Sequence, residues 1–204
     1  MYNLSEKEHY ITTTLAPLLT SKGFHFEPAR SAFVKPLPTF EQVIKISVNQ
    51  SQKKHLATLS LQAGVNALIV EDIVRQFRNF SPIEGNFTAY YENEKSVKLN
   101  QLNESVYSIS QTIEGKALPL LQKLSSLQQL DALFNRYTYS PNKAMNGLLN
   151  RCFKGLVLAR FSHRRRFQDL YQQYLNRLNN HWAPRDTIRN FTKLYNFLRF
   201  YSLN

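Results

Sequence analysis

The basic residues near the end of the chain are those whose type and spacing could do chemistry. Arg185, Arg189 and Lys193 recur every four residues, so a helix would carry them as one cationic stripe. The planar guanidinium of arginine binds a carboxylate or a phosphate through two parallel hydrogen bonds. This spacing therefore predicts a helical surface that binds anionic groups.

A second group of cations lies shortly before this stripe. The run His163-Arg164-Arg165-Arg166 is predicted at the start of a helix, where the helix dipole disfavours positive charge. Cations in that position indicate either an acidic partner or an exposed turn, and Arg177 is predicted on the outer face of the same helix. The candidate partner- or anion-binding residues are Arg164, Arg165, Arg166, Arg177, Arg185, Arg189 and Lys193.

The formal net charge of +12 is concentrated in the last third of the chain. Residues 136–204 contain 13 basic residues and only two acidic ones, Asp169 and Asp186, which gives a net charge of +11. Residues 1–135 contain 13 basic and 12 acidic residues, a net charge of +1. This asymmetry indicates an anionic partner or a face whose charges are only solvated.

The residues between the cations bear on which partner is favoured. In the last predicted helix the aromatic residues Phe191 and Tyr195 fall on the stripe opposite the cations, so they favour a buried core over a platform for stacking bases. A membrane surface would have Trp182 as its single interfacial anchor. From these residues, an acidic protein surface and a nucleic acid are comparable candidates for the anionic partner.

Motifs for catalysis or metal binding are missing from the sequence. The six glycines form no phosphate loop, no serine lies in a nucleophile elbow, and the histidines lack zinc-site spacing. The single cysteine, Cys152, cannot form an internal disulfide and is predicted to be buried. We predict no catalytic residue, no metal and no cofactor, hence a protein that is not an enzyme. An enzyme would have to use His25, Glu27, Glu41 and His55 of the sheet region.

Hydrophobic periodicity predicts the elements of the first half. A capping box at Ser5 to Glu8 precedes a helix over about 6–22, which ends at Gly23. Alternating residues over 43–49 and 56–62 predict a β-hairpin. The following segments are predicted as a strand and short helix over 65–77, a strand over 87–91 and a polar loop over 92–103.

From about residue 104 the pattern becomes helical, with a kink at Pro119. Further helices are predicted over about 142–161, from a cap at Ser162 to about 180, and after Pro184. The chain is therefore predicted to be an α+β protein with an antiparallel sheet of about four or five strands, helices packed on it and a helical C-terminal subdomain.

Two regions are predicted, a mixed α+β core over 1–135 and a basic helical subdomain over 136–204 that packs on it. The chain lacks both the ~18-residue apolar run of a membrane span and the apolar segment of a signal peptide. We therefore expect a cytoplasmic protein without a transmembrane segment.

The order of motifs in residues 6–65 resembles a family of uncharacterised bacterial α+β domains, some of whose members look like immunity proteins. The motifs are Lys22-Gly23-Phe24, the strand sequence from Ile44 to Ser51 and the strand sequence from Leu59 to Val65. Residues 113–134, with Leu118-Pro119-Leu120-Leu121, are similar to the helical segment of that family. The resemblance implies a fold and a partner-binding role, and it assigns no catalytic residue.

The leading hypothesis is a non-enzymatic protein that binds a partner protein, as an immunity or inhibitor protein does. Its basic helical face would meet an acidic surface and accelerate the encounter. The alternative is a nucleic-acid-binding module that uses the same basic C-terminal face, with an affinity that falls steeply as salt is raised.

Overall fold

The computed structural model describes residues 4–50, 56–78, 87–98, 102–136, 147–163 and 165–201. It contains a five-stranded antiparallel sheet and a helical C-terminal region, so the α+β prediction is confirmed. None of the described helices combines the length and apolar character needed to cross a bilayer.

The chain forms two compact units whose boundaries differ from the predicted ones. The first unit comprises Met1–Val65 and Tyr90–Lys123, and the second comprises Asn66–Ala89 and Leu124–Asn204. The structure thus groups residues 66–89 and 124–135 with the C-terminal helices, whereas the sequence assigned them to a core over 1–135. The cause is that helix α2 (Leu68–Phe77) packs against the distant helix α6 (Gly147–Phe161). Helix α5 (Leu127–Asn135) packs against α6 as well, which follows it in the chain.

The sheet is a meander in which the strands pair in chain order. Phe33 lies opposite Phe26 on one side and opposite Ile44 on the other, and both pairings are antiparallel. The predicted hairpin over 43–49 and 56–62 is present within two longer strands. The strands are β1 (His25–Glu27), β2 (Ala32–Pro36), β3 (Phe40–Gln50), β4 (Leu56–Ala67) and β5 (Ala89–Lys98).

The prediction of a polar loop over 92–103 is wrong, because β5 continues to Lys98 and the next helix begins at Leu102. β5 is an edge strand of the sheet, and its residues 92–96 are all exposed. An edge strand needs no apolar alternation, and charged side chains there discourage pairing with other chains. The strand predicted over 87–91 thus overlaps the start of β5, and the polar composition concealed the rest of that strand.

The helices follow the predicted order with shifted ends. The prediction that Ser162 caps the next helix is wrong, because that helix begins at Phe167. The Ser162 hydroxyl instead donates a hydrogen bond to the carbonyl oxygen of Leu127. The side chains of the proposed Ser5–Glu8 capping box lie outside the described residues. The helices are α1 (Leu4–Ser21), α2 (Leu68–Phe77), α3 (Leu102–Thr112), α4 (Leu118–Leu124), α5 (Leu127–Asn135), α6 (Gly147–Phe161), α7 (Phe167–Asn180) and α8 (Arg185–Phe200).

The first unit has its core between the sheet and two helices. Ile11, Leu15 and Leu19 follow one another at four-residue intervals and are all buried, and α1 packs against β1, β3 and α3. Every second residue of β4 from Ala57 to Val65 is buried, so this strand turns one face to the core.

The second unit is built around α6, which packs against α2, α5, α7 and α8. Every residue of α6 from Asn150 to Ala159 is buried. A helix buried on all sides is usually apolar throughout, yet this one carries Arg151 and Lys154 into the interior. Two of the thirteen basic residues of the last third are therefore inside the protein.

Lys154 is paired inside the second unit. Its side chain is 1% exposed, and its ammonium lies 2.8 Å from the Glu71 carboxylate and donates to the carbonyl oxygen of Phe87 at 2.8 Å. Burial lowers the pKa of Lys154, and the charge of Glu71 acts in the opposite direction. The same carboxylate accepts a hydrogen bond from the Thr88 hydroxyl, so it links α2, α6 and the segment that leads into β5.

We expect Glu71→Ala to lower the free energy of unfolding by about 3–5 kcal/mol, because it leaves a buried ammonium without its counterion. Urea unfolding followed by circular dichroism measures the change. The neighbouring substitution Asp72→Ala is the control, since Asp72 is 66% exposed and its ion pair with Arg75 is long, at 3.6 Å. Equal effects of the two substitutions would contradict a structural role for the buried pair.

Candidate partner-binding surface

The surface candidate is built on an antiparallel pair of helices, α7 and α8. Tyr171 of α7 stacks on Tyr195 of α8 with ring centroids 3.8 Å apart, and Phe167 and Phe191 extend the stack on either side. The rings recur at four-residue intervals within each helix, which places them on one face. This aromatic contact fixes the rotation of α8 about its axis and hence the face that it exposes.

The exposed face of α8 carries the cationic stripe predicted from the sequence. Arg185, Arg189 and Lys193 are all exposed, whereas Phe191 and Leu198 on the opposite side are completely buried. The guanidinium of Arg189 lies 3.1 Å from the carboxylate of Asp186 in the same helix. The stripe therefore contains one carboxylate among its cations.

The turn between α7 and α8 presents Trp182, the single tryptophan of the chain. Its side chain is 92% exposed, and its backbone has a positive φ of 54°. The amide of Ala183 donates to the carbonyl oxygen of Leu178, a bond that closes helix ends in which glycine usually takes the left-handed position. From the sequence, Trp182 was considered only as a membrane anchor, and it was not among the predicted residues of the candidate surface.

The cations before α7 lie at the other end of that helix. Arg165 and Arg166 are exposed, and Arg166 has a φ of 61° directly before the first residue of α7. A helix of this length separates them from Trp182 by about 20 Å along its axis. Arg164 lies outside the described residues.

Arg177 does not lie on the outer face of α7, where the sequence predicted it. Its side chain is partly buried, and its charge lies close enough to Cys152 and Tyr174 to oppose the effect of burial on their pKa values. The outward face of α7 is instead rich in side-chain amides. Its exposed residues include Gln168, Gln172, Gln173, Asn176 and Asn179.

The residues proposed for an enzyme form an ion-pair cluster in the first unit. The guanidinium of Arg30 donates to both carboxylate oxygens of Glu41 at 2.7 and 2.8 Å, and it also contacts Glu27 at 3.3 Å. His25 lies 3.2 Å from Glu27. The pKa of Arg30 is raised, chiefly by its hydrogen bonds with Glu41, as expected for a cation held between two carboxylates. His55 lies outside the described residues.

The buried polar residues of the second unit hold α5, α6 and α7 together. The Tyr174 hydroxyl donates to the side-chain carbonyl of Asn135 at 2.5 Å, and the Asn135 amide donates to the carbonyl oxygen of Gly155 at 2.8 Å. A β-carbon on Gly155 would lie 2.6 Å from the Tyr174 hydroxyl, so only glycine fits there. Within the described part of the chain, no group of three or more possible ligands could hold a metal ion.

Comparisons with protein-family models, with curated proteins and with solved structures gave no match.

We expect Cys152 to be inert towards the thiol reagent DTNB in the native protein at mildly alkaline pH. Burial raises the pKa of this thiol to about 12, against the smaller opposing effects of Arg177, Arg151 and Arg78. Reaction should proceed at the ordinary rate of a free thiol once denaturant is added, because the unfolded thiol titrates near its usual pKa of about 8.5. Rapid stoichiometric labelling of the folded protein would contradict this burial.

We expect Trp182→Gly to be more stable than Trp182→Ala by about 1 kcal/mol, because only glycine takes the left-handed conformation without strain. Removing the indole should cost little, since the side chain is almost wholly in solvent. Urea unfolding by circular dichroism compares both variants with the natural chain. A glycine variant no more stable than the alanine variant would show that the turn is not strained.

Proposed function

We propose that this chain is a non-enzymatic protein that binds an acidic partner protein through α8 and the turn before it, in the manner of an immunity or inhibitor protein. The observation that carries the proposal is the combination of a fully exposed tryptophan with the exposed cations of α8. Tryptophan and arginine are the residue types that most often dominate the free energy of protein interfaces.

The positions of the cations at helix starts support the proposal that they bind a partner rather than stabilise their own helices. Arg185 is the first residue of α8, and Arg166 directly precedes α7, where the helix dipole disfavours positive charge by about 0.3–1 kcal/mol each. Cations at these positions do not stabilise their own helices. An acidic partner would offset this local cost on binding.

The composition of the surface favours a protein over a nucleic acid. Asp186 is 81% exposed inside the cationic stripe, and Asp169 is exposed on α7. Carboxylates at these positions repel phosphates, whereas a protein partner can offer them a cation.

Nucleic-acid binding is the second candidate function. The exposed asparagine and glutamine side chains of α7 favour it. Asparagine and glutamine side chains hydrogen-bond base edges, and an exposed tryptophan can stack on an unpaired base. A gel shift with a short DNA duplex or single strand at low salt, lost steeply as salt is raised, would support this candidate against the acidic protein partner.

The acidic-partner proposal predicts that Arg185→Glu together with Lys193→Glu weakens binding to poly-L-glutamate by about tenfold or more, because two attractions become repulsions. Titration at low and moderate salt measures the affinity. The control is Lys116→Glu together with Lys123→Glu, which changes the net charge equally at exposed positions of the first unit.

Equal losses in the two double variants would mean that net charge, rather than the α8 surface, attracts the polymer. The partner itself is sought by co-purification from the native cell, with the products of adjacent genes as the first candidates. A stoichiometric complex that the α8 double variant fails to form is the expected result. Recovery of no stoichiometric protein partner would contradict the proposal.

A further inference from the structure

Trp182 has the properties of a binding anchor. It is 92% exposed, it projects from a closed turn, and Arg185 follows it by three residues. Residues that dominate interfaces fill desolvated pockets on the partner and are surrounded by polar contacts. We propose that Trp182 inserts into an apolar pocket of the acidic partner, and that Arg185 and Arg189 bind carboxylates at the rim of that pocket. This inference rests on the proposed function.

The turn presents the indole on a rigid support. The Trp182 amide donates to the carbonyl oxygen of Asn179 at 3.1 Å, and the Ala183 amide donates to that of Leu178 at 3.0 Å. Pro184 then fixes the chain at the start of α8. Because the backbone is already ordered, binding loses little backbone conformational entropy at this position.

The backbone conformation at Trp182 is unfavourable for its residue type. Glycine is the usual residue at a left-handed helix end, and a bulky side chain with a φ of 54° is an outlier. Strained residues of this kind concentrate at binding sites, where function requires them. Its ring makes no ring–ring contact within the described part of the chain, so the strain is not offset by aromatic packing.

Phe200 at the far end of α8 is also exposed, at 81%, but it lacks these properties. It is an ordinary helical residue, and the guanidinium of Arg199 lies 5.6 Å from its ring. The length of α8 separates it from Arg185 by about 20 Å. Phe200 is therefore a matched control, because it is an exposed aromatic residue at the far end of α8, outside the proposed contact.

The chemistry of the rim identifies the class of partner. Arg189 is held 3.1 Å from Asp186, so the cations beside Trp182 alternate with a carboxylate. A phosphate backbone carries negative charge alone and would meet repulsion at Asp186. A protein surface can combine carboxylates for the arginines with a cation or a hydrogen-bond donor for Asp186, which a phosphate backbone cannot.

The test compares two acidic polypeptides, a glutamate–tyrosine copolymer and poly-L-glutamate, and a short DNA duplex. We expect the natural chain to bind the copolymer about tenfold more tightly than poly-L-glutamate, with the emission of its single tryptophan shifted to shorter wavelength as the indole leaves water. The affinities of variants that lack the tryptophan are measured by the fluorescence anisotropy of labelled polymers.

Trp182→Gly should lose the preference for the copolymer, Trp182→Phe should keep part of it, and Phe200→Ala should keep all of it. Circular dichroism checks that each variant is folded, and the glycine variant is not expected to lose stability. Retention of the preference by Trp182→Gly would overturn the anchor while leaving the proposed function intact. If neither polypeptide binds the natural chain, the proposed function fails. Tighter binding of DNA, with the same emission shift, would reverse the choice of partner class.

Discussion

The complete burial of α6 is the constraint on which the helical unit depends. Because Lys154 cannot reach solvent from this helix, Glu71 of α2 meets it in the interior, and the carbonyl oxygen of Phe87 accepts a further hydrogen bond from its ammonium group. The same burial requires Asn135 and Tyr174 to satisfy polar groups between α5, α6 and α7. A buried network of this kind tolerates few alternative packings, since every unpaired member is costly.

The position of the candidate surface follows from that core. Once α7 and α8 have packed on α6, the stacked rings of Tyr171 and Tyr195 set the rotation of α8, and Arg185, Arg189 and Lys193 face outward. The short turn between the helices then exposes Trp182 three residues before Arg185, the first cation of α8. Trp182 is thus an exposed residue with an unfavourable backbone conformation at the edge of the packed helices.

Much of the fold could be predicted from periodicity. The hairpin of β3 and β4, the short α2 after β4 and the order of the C-terminal helices all follow from apolar spacing, because burial of one face is a local property of a strand or helix. The start of β5 was predicted, but its continuation from residue 92 was missed because the exposed residues there carry no such pattern. The start of α7 was misplaced because the Ser162 hydroxyl bonds to Leu127, a residue that is distant in sequence.

The sequence by itself determined the charge asymmetry, the α+β class and the cationic stripe of α8, since each depends on composition or on spacing within one helix. Only the tertiary structure decided which cations remain on the surface. Lys154 and Arg151 are buried, and Arg177 is partly so, because partners from distant segments enclose them. The exposure and left-handed backbone of Trp182 were likewise decided by how α7 and α8 pack. Burial of a charged group and strain in a turn are set by contacts between segments, which spacing along one segment does not encode.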